Sequence, residues 1–265
     1  MGAEIFERGP SAEAIAAHFD ALLATHETPD YPTAVNGLQV ANRGPIVRIA
    51  AAVDASARTI DAAADVGANL LVVHHGLFWS GIQPIRGAAY ARLRTLFDRD
   101  IAVYSAHLPL DRHPTLGNNA LLARALGLDP TGGFARFESI DIGVRGETER
   151  PTAALVAAAD AFATLAGGRA RASAFDHERV TRRWAICTGA GADAATLGAA
   201  QALGIDTLIV GEGPHWTAVE APERGLVIIY AGHYATETLG VRALAEVGRT
   251  TFGIPWTFID APTGL

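Results

Sequence analysis

Two adjacent histidines, His74 and His75, close a run of apolar residues at a glycine, and two more each precede a carboxylate by four positions, His107 before Asp111 and His233 before Glu237. Imidazole and carboxylate are the donors that Zn, Mn, Fe, Co and Ni accept, and one sequence does not choose among those metals. The single Cys187 allows neither an intrachain disulfide nor a multi-thiolate site. It points to a reducing compartment, and any bound ion must be held by N and O ligands.

The expected ligand set is His74, His75, Asp111, His233 and Glu237, holding two divalent metal ions. Neighbouring side chains on a strand point to opposite faces, so His74 and His75 suit two ions better than one. His233 and Glu237 stand at the start of a helix expected over Tyr234 to Val247. The four-residue spacing puts both on one helical face, the helix N-terminus favours the carboxylate, and Glu237 could bridge two ions through its two oxygens. Pro109 makes the stretch from His107 to Asp111 a loop rather than a helix face. Asp111 is expected as a ligand there, while His107 could bind, act as an acid or base, or orient another ligand.

The remaining histidines carry less. His18, His26 and His177 lie in polar helical or loop contexts and read as surface residues. His113 and His215 fall close in sequence to the candidate ligands, where contact with a substrate is the role left to them. The run Cys187-Thr-Gly-Ala-Gly-Ala-Asp193 follows a strand pattern and opens a helix, which resembles a phosphate-cradling turn built on backbone N–H groups. It lacks the third glycine of a dinucleotide fingerprint, so a ligand-free strand-to-helix turn is the reading adopted.

The elements that must position these residues follow from short apolar runs bounded by glycine: Ile49 to Val53, Leu70 to Val73, Ile101 to Tyr104, Trp184 to Cys187, Thr207 to Val210 and Leu226 to Tyr230. Alternating with helix-like stretches, they predict βα units and an α/β fold with mixed or mainly parallel sheets. The chain also resembles itself. Gly67 to Trp79 aligns without gaps on Gly204 to Trp216, and Tyr104-Ser-Ala-His107 with Asp111 matches Tyr230-Ala-Gly-His233 with Glu237. This predicts an internal duplication, with halves at residues 1–129 and 130–265, a C-terminal segment able to pack back on the first half, and a dinuclear site between them. The ligands are asymmetric, because His74 and His75 correspond to Gly211 and Glu212. Between the halves, Asp129 to Arg183 is less regular, apart from an Ala-rich helix over Pro151 to Leu165.

Composition narrows the function. At 265 residues, 49% hydrophobic and 18% charged, the chain can bury a large core. Its net charge of −7 is spread without a basic block, which argues against nucleic acid and against an anionic membrane as partners. Met1 to Ala24 carries four acidic residues among its apolar ones and reads as an amphipathic helix, not a signal peptide. No apolar run approaches the roughly 20 residues of a membrane span, so a soluble cytoplasmic protein is expected. All 21 basic residues are arginine. Walker-type phosphate loops and Schiff-base enzymes, which need lysine, are thereby excluded.

Taken together, Asp30-Tyr-Pro, Asn36-Gly-Leu-Gln-Val40, Val73-His-His-Gly-Leu-Phe-Trp79, Ile85-Arg-Gly87, His107-Leu-Pro-Leu-Asp111, Leu116-Gly-Asn-Asn-Ala120 and Ala231-Gly-His-Tyr-Ala-Thr-Glu237 resemble the NIF-three-like proteins, also called GTP cyclohydrolase I type 2 homologues. The likeness runs from about Tyr31 to Asp260 and is closest to the short form without an inserted domain. It implies a two-domain α/β subunit, a toroidal homohexamer with sites facing an internal cavity, and a dinuclear centre. By position, one ion would take His75, Asp111 and Glu237, and the other His74, His233 and Glu237. Gly213-Pro-His215 departs from the pattern and could alter substrate contacts. The expected activity is a dinuclear-metal-dependent hydrolase with His107 assisting proton transfer, acting on a small-molecule nucleotide in the manner of a GTP cyclohydrolase or on a phosphoester. The alternatives are a metal-storing, metal-delivering or partner-binding protein and a purely structural cluster; the likeness supplies a site, not a reaction.

Overall fold

The computed structural model describes residues 9–265, so the first eight residues of the helix expected from Met1 lie outside the described residues. In chain order the elements are α1 (Ala12–Leu23), β1 (Gly37–Val40), β2 (Ile49–Asp54), α2 (Ala57–Asp65), β3 (Leu70–His75), α3 (Ala88–Asp98), β4 (Ala102–Ser105), α4 (Leu108–Asp111), α5 (Asn118–Ala125), β5 (Gly132–Phe137), β6 (Ile140–Pro151) and α6 (Thr152–Leu165). They continue through β7 (Arg171–Ala172), β8 (Val180–Cys187), α7 (Ala194–Ala202), β9 (Thr207–Val210), α8 (His215–Glu223), β10 (Val227–Tyr230), α9 (His233–Phe252) and β11 (Trp256–Phe258). The chain forms two compact units, residues 1–110 with 240–261, and residues 111–239 with 262–265. Each has one sheet, which makes the protein a mixed α/β fold.

The first unit holds a five-stranded sheet in the order β1-β4-β3-β2-β11. All neighbours are parallel except β1, which lies antiparallel on the β4 edge. β2, β3 and β4 are apolar at nearly every position because both sheet faces are covered. On one face Ile49, Ala51, Leu70, Val72 and Tyr104 pack with Ile15 and Phe19 of α1 and with Val241 and Leu244 of α9. On the other, Ala50, Ala52, Leu71, Val73 and Val103 pack with Ile60 of α2 and Leu96 of α3. α1 begins where Ser11 accepts the Ala14 N–H, and it buries Ile15, Phe19 and Leu23, four residues apart on one stripe.

The second unit holds a six-stranded sheet in the order β5-β6-β8-β9-β10-β7, parallel through β8, β9 and β10 and antiparallel elsewhere. Trp184, Ile186, Ile209 and Ile229 face α5 and α6, where Leu122, Leu155 and Ala159 meet them. Ala185, Leu208, Val210 and Ile228 face α7 and α8, against Leu197, Ala200 and Ala221. The stretch from Asp129 to Arg183 is more regular than its sequence reads, since it supplies the β5–β6 hairpin and β7. Gly146 of β6 hides the strand pattern; a Cβ there would collide with the Trp184 ring, so the close approach of β6 to β8 demands a residue with no side chain.

The two units repeat a local device. Asn69, just before β3, accepts the N–H groups of Val47 and Arg48; Asp206, just before β9, accepts those of Arg182 and Arg183. α2 and α7 each open with a reciprocal capping box, Ser56 with Thr59 and Asp193 with Thr196.

One local expectation is corrected. His107 to Asp111 is not a loop, because Leu108–Asp111 forms a helical turn. Pro109 sits in its first turn, where a backbone N–H would have no intrahelical acceptor and its absence costs nothing. Among the described residues no helix is long and apolar enough to cross a membrane.

Candidate metal centre

In the first sheet the candidate ligands lie at the C-terminal ends of parallel strands, where α/β sheets place ligands. In the first unit, His74 and His75 are the last two residues of β3, and His107 follows β4. The ligand-capable atoms of these three residues all lie within 4.8 Å of one another. His74 and His75 do not diverge as strand alternation predicts, since their ring centroids are 4.8 Å apart. Tethers at Nδ1 account for this.

His74, wholly buried, has Nδ1 2.8 Å from the Ala106 carbonyl oxygen. A carbonyl only accepts, so Nδ1 carries the proton and Nε2 is the basic nitrogen. His75 Nδ1 lies 2.9 Å from Asp54 Oδ1; Asp54 ends β2, in register beside His75. His107 Nδ1 lies 2.8 Å from Asp30 Oδ1. Asp30 is itself held by the Asn36 side-chain amide and the Leu108 N–H, while Asn36 Oδ1 accepts the His107 N–H. Burial pushes the Asp30 carboxyl upward, but the His107 imidazole and the Asn36 and Leu108 donors outweigh it and hold the group below the usual carboxylate value.

Gly76 serves close approach rather than turn geometry. The Gln39 amide occupies the space a Cβ would take, donates to the Ala34 and Val35 carbonyls and accepts the Leu77 N–H. Beyond it the Trp79 ring stands 4.7 Å from His107 and 5.6 Å from His75, edge to face, and Tyr31 lies 6.0 Å from His107.

In the second unit, His233 and Glu237 open α9 one turn apart. His233 Nε2 is 3.2 Å from Glu237 Oε2, and its Nδ1 is 2.9 Å from Glu212 Oε1. Burial lowers the His233 pKa, but Glu237 first and Glu212 second reverse this and raise it to about 9. The two groups in this contact, His233 Nε2 and Glu237 Oε2, are both of a type that donates to a metal. Glu237 is 2% exposed, and Gly189 lies directly behind it, so that a Cβ at that position would overlap Oε1. Asp111, also buried, takes hydrogen bonds at Oδ1 from the Asn118 amide and the Thr188 hydroxyl. The Asn119 side chain joins the Asp111 and Ile142 carbonyls to the Thr188 N–H.

The glycine turn after β8 takes part in this packing. The Thr188, Gly189, Ala192 and Asp193 N–H groups are all donated within the chain, to Asn119, Thr236, Glu212 and Thr196. Burial, together with the negative Asp111, Asp193 and Glu237, pushes the Cys187 thiol up and keeps it protonated.

The first unit thus gathers His74, His75 and His107, and the second gathers His233 with Glu237 and anchors Asp111. The other histidines lie apart from these clusters. His26 and His177 are exposed, while His18 is half-buried with its ring edge-on to Phe252, 5.4 Å away. His113 Nδ1 accepts the Thr115 and Leu116 N–H groups in a local turn, and His215 is exposed at the first position of α8. Sequence reasoning missed the carboxylates behind the imidazoles, Asp30, Asp54 and Glu212. Asp54 was open to discovery as the polar end of an apolar run, one strand from His75, and Glu212 as the residue aligned with His75.

A family model described as Duf34/NIF3 (NGG1p interacting factor 3) matches residues 11–263. A relative from Deinococcus radiodurans named "GTP cyclohydrolase 1 type 2 homolog" is 44% identical over 236 residues, covering 89% of this chain and 88% of its own. One of the same name from Pyrococcus abyssi is 39% identical over 253 residues, covering 96% and 99%. A solved structure described as "protein ybgI, unknown function" superposes with a TM-score of 0.86 at 36% identity, covering 96% of this chain and all of that one.

Proposed function

Since the chain belongs to the Duf34/NIF3 family, we propose that it holds two divalent metal ions, one on His75, Asp111 and Glu237 and the other on His74, His233 and Glu237, and that it uses them as a hydrolase. The observation that carries this reading is the state of the imidazoles. His74, His75, His107 and His233 all have Nδ1 tied to an oxygen, the kind of partner that metal-ligating histidines have. Bound ions would supply Lewis acidity and a water nucleophile near neutral pH.

The chain's own residues do the rest. Asp30 fixes the His107 tautomer and orientation, so that Nε2 accepts a proton from a reacting water or returns one to a leaving group. Asp54 and Glu212 do the same orienting for His75 and His233. Asn118 and Thr188 hold the Asp111 carboxylate, and Asn119 holds its backbone carbonyl. The relatives' name supports a purine nucleotide as substrate, and a phosphoester is the alternative to be tested with it.

The test has two stages. Elemental analysis of purified protein should find two equivalents of one or two of Zn, Mn, Fe, Co or Ni, and Glu237→Gln should lose most of both while keeping its circular dichroism spectrum. Metal-loaded protein is then given a panel of nucleotides and phosphoesters, followed by purine absorbance and phosphate release. Turnover supports the hydrolase; full metal content with no turnover across the panel overturns it.

A second reading, a metal-storing or metal-delivering protein, is favoured by one observation: the glycine turn, the one phosphate-type motif in the sequence, donates its Thr188, Gly189, Ala192 and Asp193 N–H groups within the chain. Rapid transfer of metal to an apo acceptor would select it. The matched roles of Asn69 and Asp206 and of the two capping boxes support descent of the halves from one duplicated unit. We also infer a toroidal homohexamer in the cytoplasm, from the family likeness and the lone cysteine; native mass spectrometry checks the assembly.

A further inference from the structure

Beside the imidazoles of the first unit stand two rings that metal binding does not use. Tyr31 is 50% exposed, although its backbone is pinned: its N–H donates to Asp30 Oδ1 and its carbonyl accepts the Ala34 N–H. An open aromatic ring on a fixed backbone loses little entropy when another ring stacks on it. Its neighbour Trp79, 6.4 Å away, has its indole Nε1 buried with no acceptor within hydrogen-bond reach. A buried donor without an acceptor costs free energy, and natural structures keep few of them except where a ligand completes the bond. The backbone of the loop bearing Trp79 is held through Leu77 by the Gln39 amide, and a turn of the indole about its side-chain bonds presents Nε1 to a ligand.

We propose that Tyr31 and Trp79 form the recognition wall for a flat heteroaromatic ring that carries a hydrogen-bond acceptor on its edge. Tyr31 stacks on the face of that ring, and the Trp79 Nε1–H donates to a ring carbonyl or ring nitrogen. The reacting part of the ligand then lies next to His75 and His107, whose rings are 5.6 and 4.7 Å from the indole. Guanine has the required edge. This deepens the hydrolase reading and rests on it for the chemistry, but the wall binds through its own contacts.

The probes are guanosine 5′-monophosphate and ribose 5-phosphate, which share the sugar phosphate and differ in the ring. Binding to metal-loaded protein is measured by titration calorimetry, with elemental analysis of the same samples. The nucleotide should bind roughly tenfold or more tightly than the sugar phosphate, as one stacked and hydrogen-bonded base gives. Trp79→Leu and Tyr31→Leu should each erase about tenfold of that preference without altering metal content or ribose 5-phosphate binding. Trp79→Phe, which keeps a ring but removes the N–H, should fall between, and Trp216→Phe should change nothing. Tyr31→Leu alters an exposed side chain and keeps the test open if Trp79 variants fold poorly. Equal binding of the two probes, no binding of the nucleotide, or a preference untouched by both leucine variants overturns the wall. Metal-loaded protein indifferent to the ring sinks the wall and spares the metal reading; protein that takes up no metal yet prefers the nucleotide through Trp79 does the reverse.

Discussion

Replacing Gly189 by alanine tests whether the backbone behind Glu237 sets the position of that carboxylate. Gly189 has φ +63°, in the left-handed region, where a residue with a Cβ is disfavoured by about 1–2 kcal/mol. The added methyl would overlap Glu237 Oε1 and stand 3.3 Å from both Glu237 Cδ and His233 Nε2. Forcing a buried side chain aside costs about 1–3 kcal/mol more, so the total is about 2–5 kcal/mol. Gly225, in the same unit, supplies the control, because it has φ +69° and a methyl added there would meet nothing within 4 Å. Gly225→Ala should therefore lose only the conformational part, about 1–2 kcal/mol. Urea denaturation followed by far-UV circular dichroism measures both variants, and elemental analysis follows metal content. Gly189→Ala should unfold at clearly lower urea than Gly225→Ala and retain less metal. If the two variants match in midpoint and both keep full metal, Glu237 is not held by that backbone and the reasoning fails.

Further outcomes are expected elsewhere in the molecule. Asn119→Ala leaves the Thr188 N–H and the Asp111 and Ile142 carbonyls without their partner and should destabilise by about 2–4 kcal/mol in the same denaturation assay. Asp30→Asn should lower any discovered turnover by about 10²–10⁴-fold while metal content stays full, because the His107 tautomer is lost and no ligand is. The Glu246 carboxyl, held at about 2 by Arg249 and by the Trp256 indole N–H against an ordinary 4.5, has a depressed folded pKa. Its contribution is complete above pH 4.5 and disappears as pH falls toward 2. Melting temperature should accordingly drop more steeply across that window in the parent than in Glu246→Gln, and parallel curves would refute the assignment.

Six strands, β2, β3, β4, β8, β9 and β10, were readable because a parallel strand covered on two faces must be largely apolar, and Leu70 to Val73 and Leu208 to Val210 are. The β5–β6 hairpin was not, since glycines at close-approach positions interrupt its pattern. Pro109 misled for a related reason: proline breaks helices in general but fits the first turn of one, and only the position of the turn decides which rule applies.

By itself the sequence determined the chemistry available to this protein: nitrogen and oxygen donors in a fixed spacing, a single thiol, no lysine, and glycines where strands end. Those are properties of residue type and of neighbours along the chain. Only the tertiary structure decided how the donors are aimed. Asp30 reaches His107 across 77 positions and Asp54 reaches His75 across 21, and the hydrogen bonds that set each imidazole's tautomer exist only once separate strands lie side by side. The same is true of Trp79, whose buried N–H has meaning only in three dimensions. Spacing along a chain reports what one helix or strand can present, whereas second partners come from whatever segment the core packs alongside.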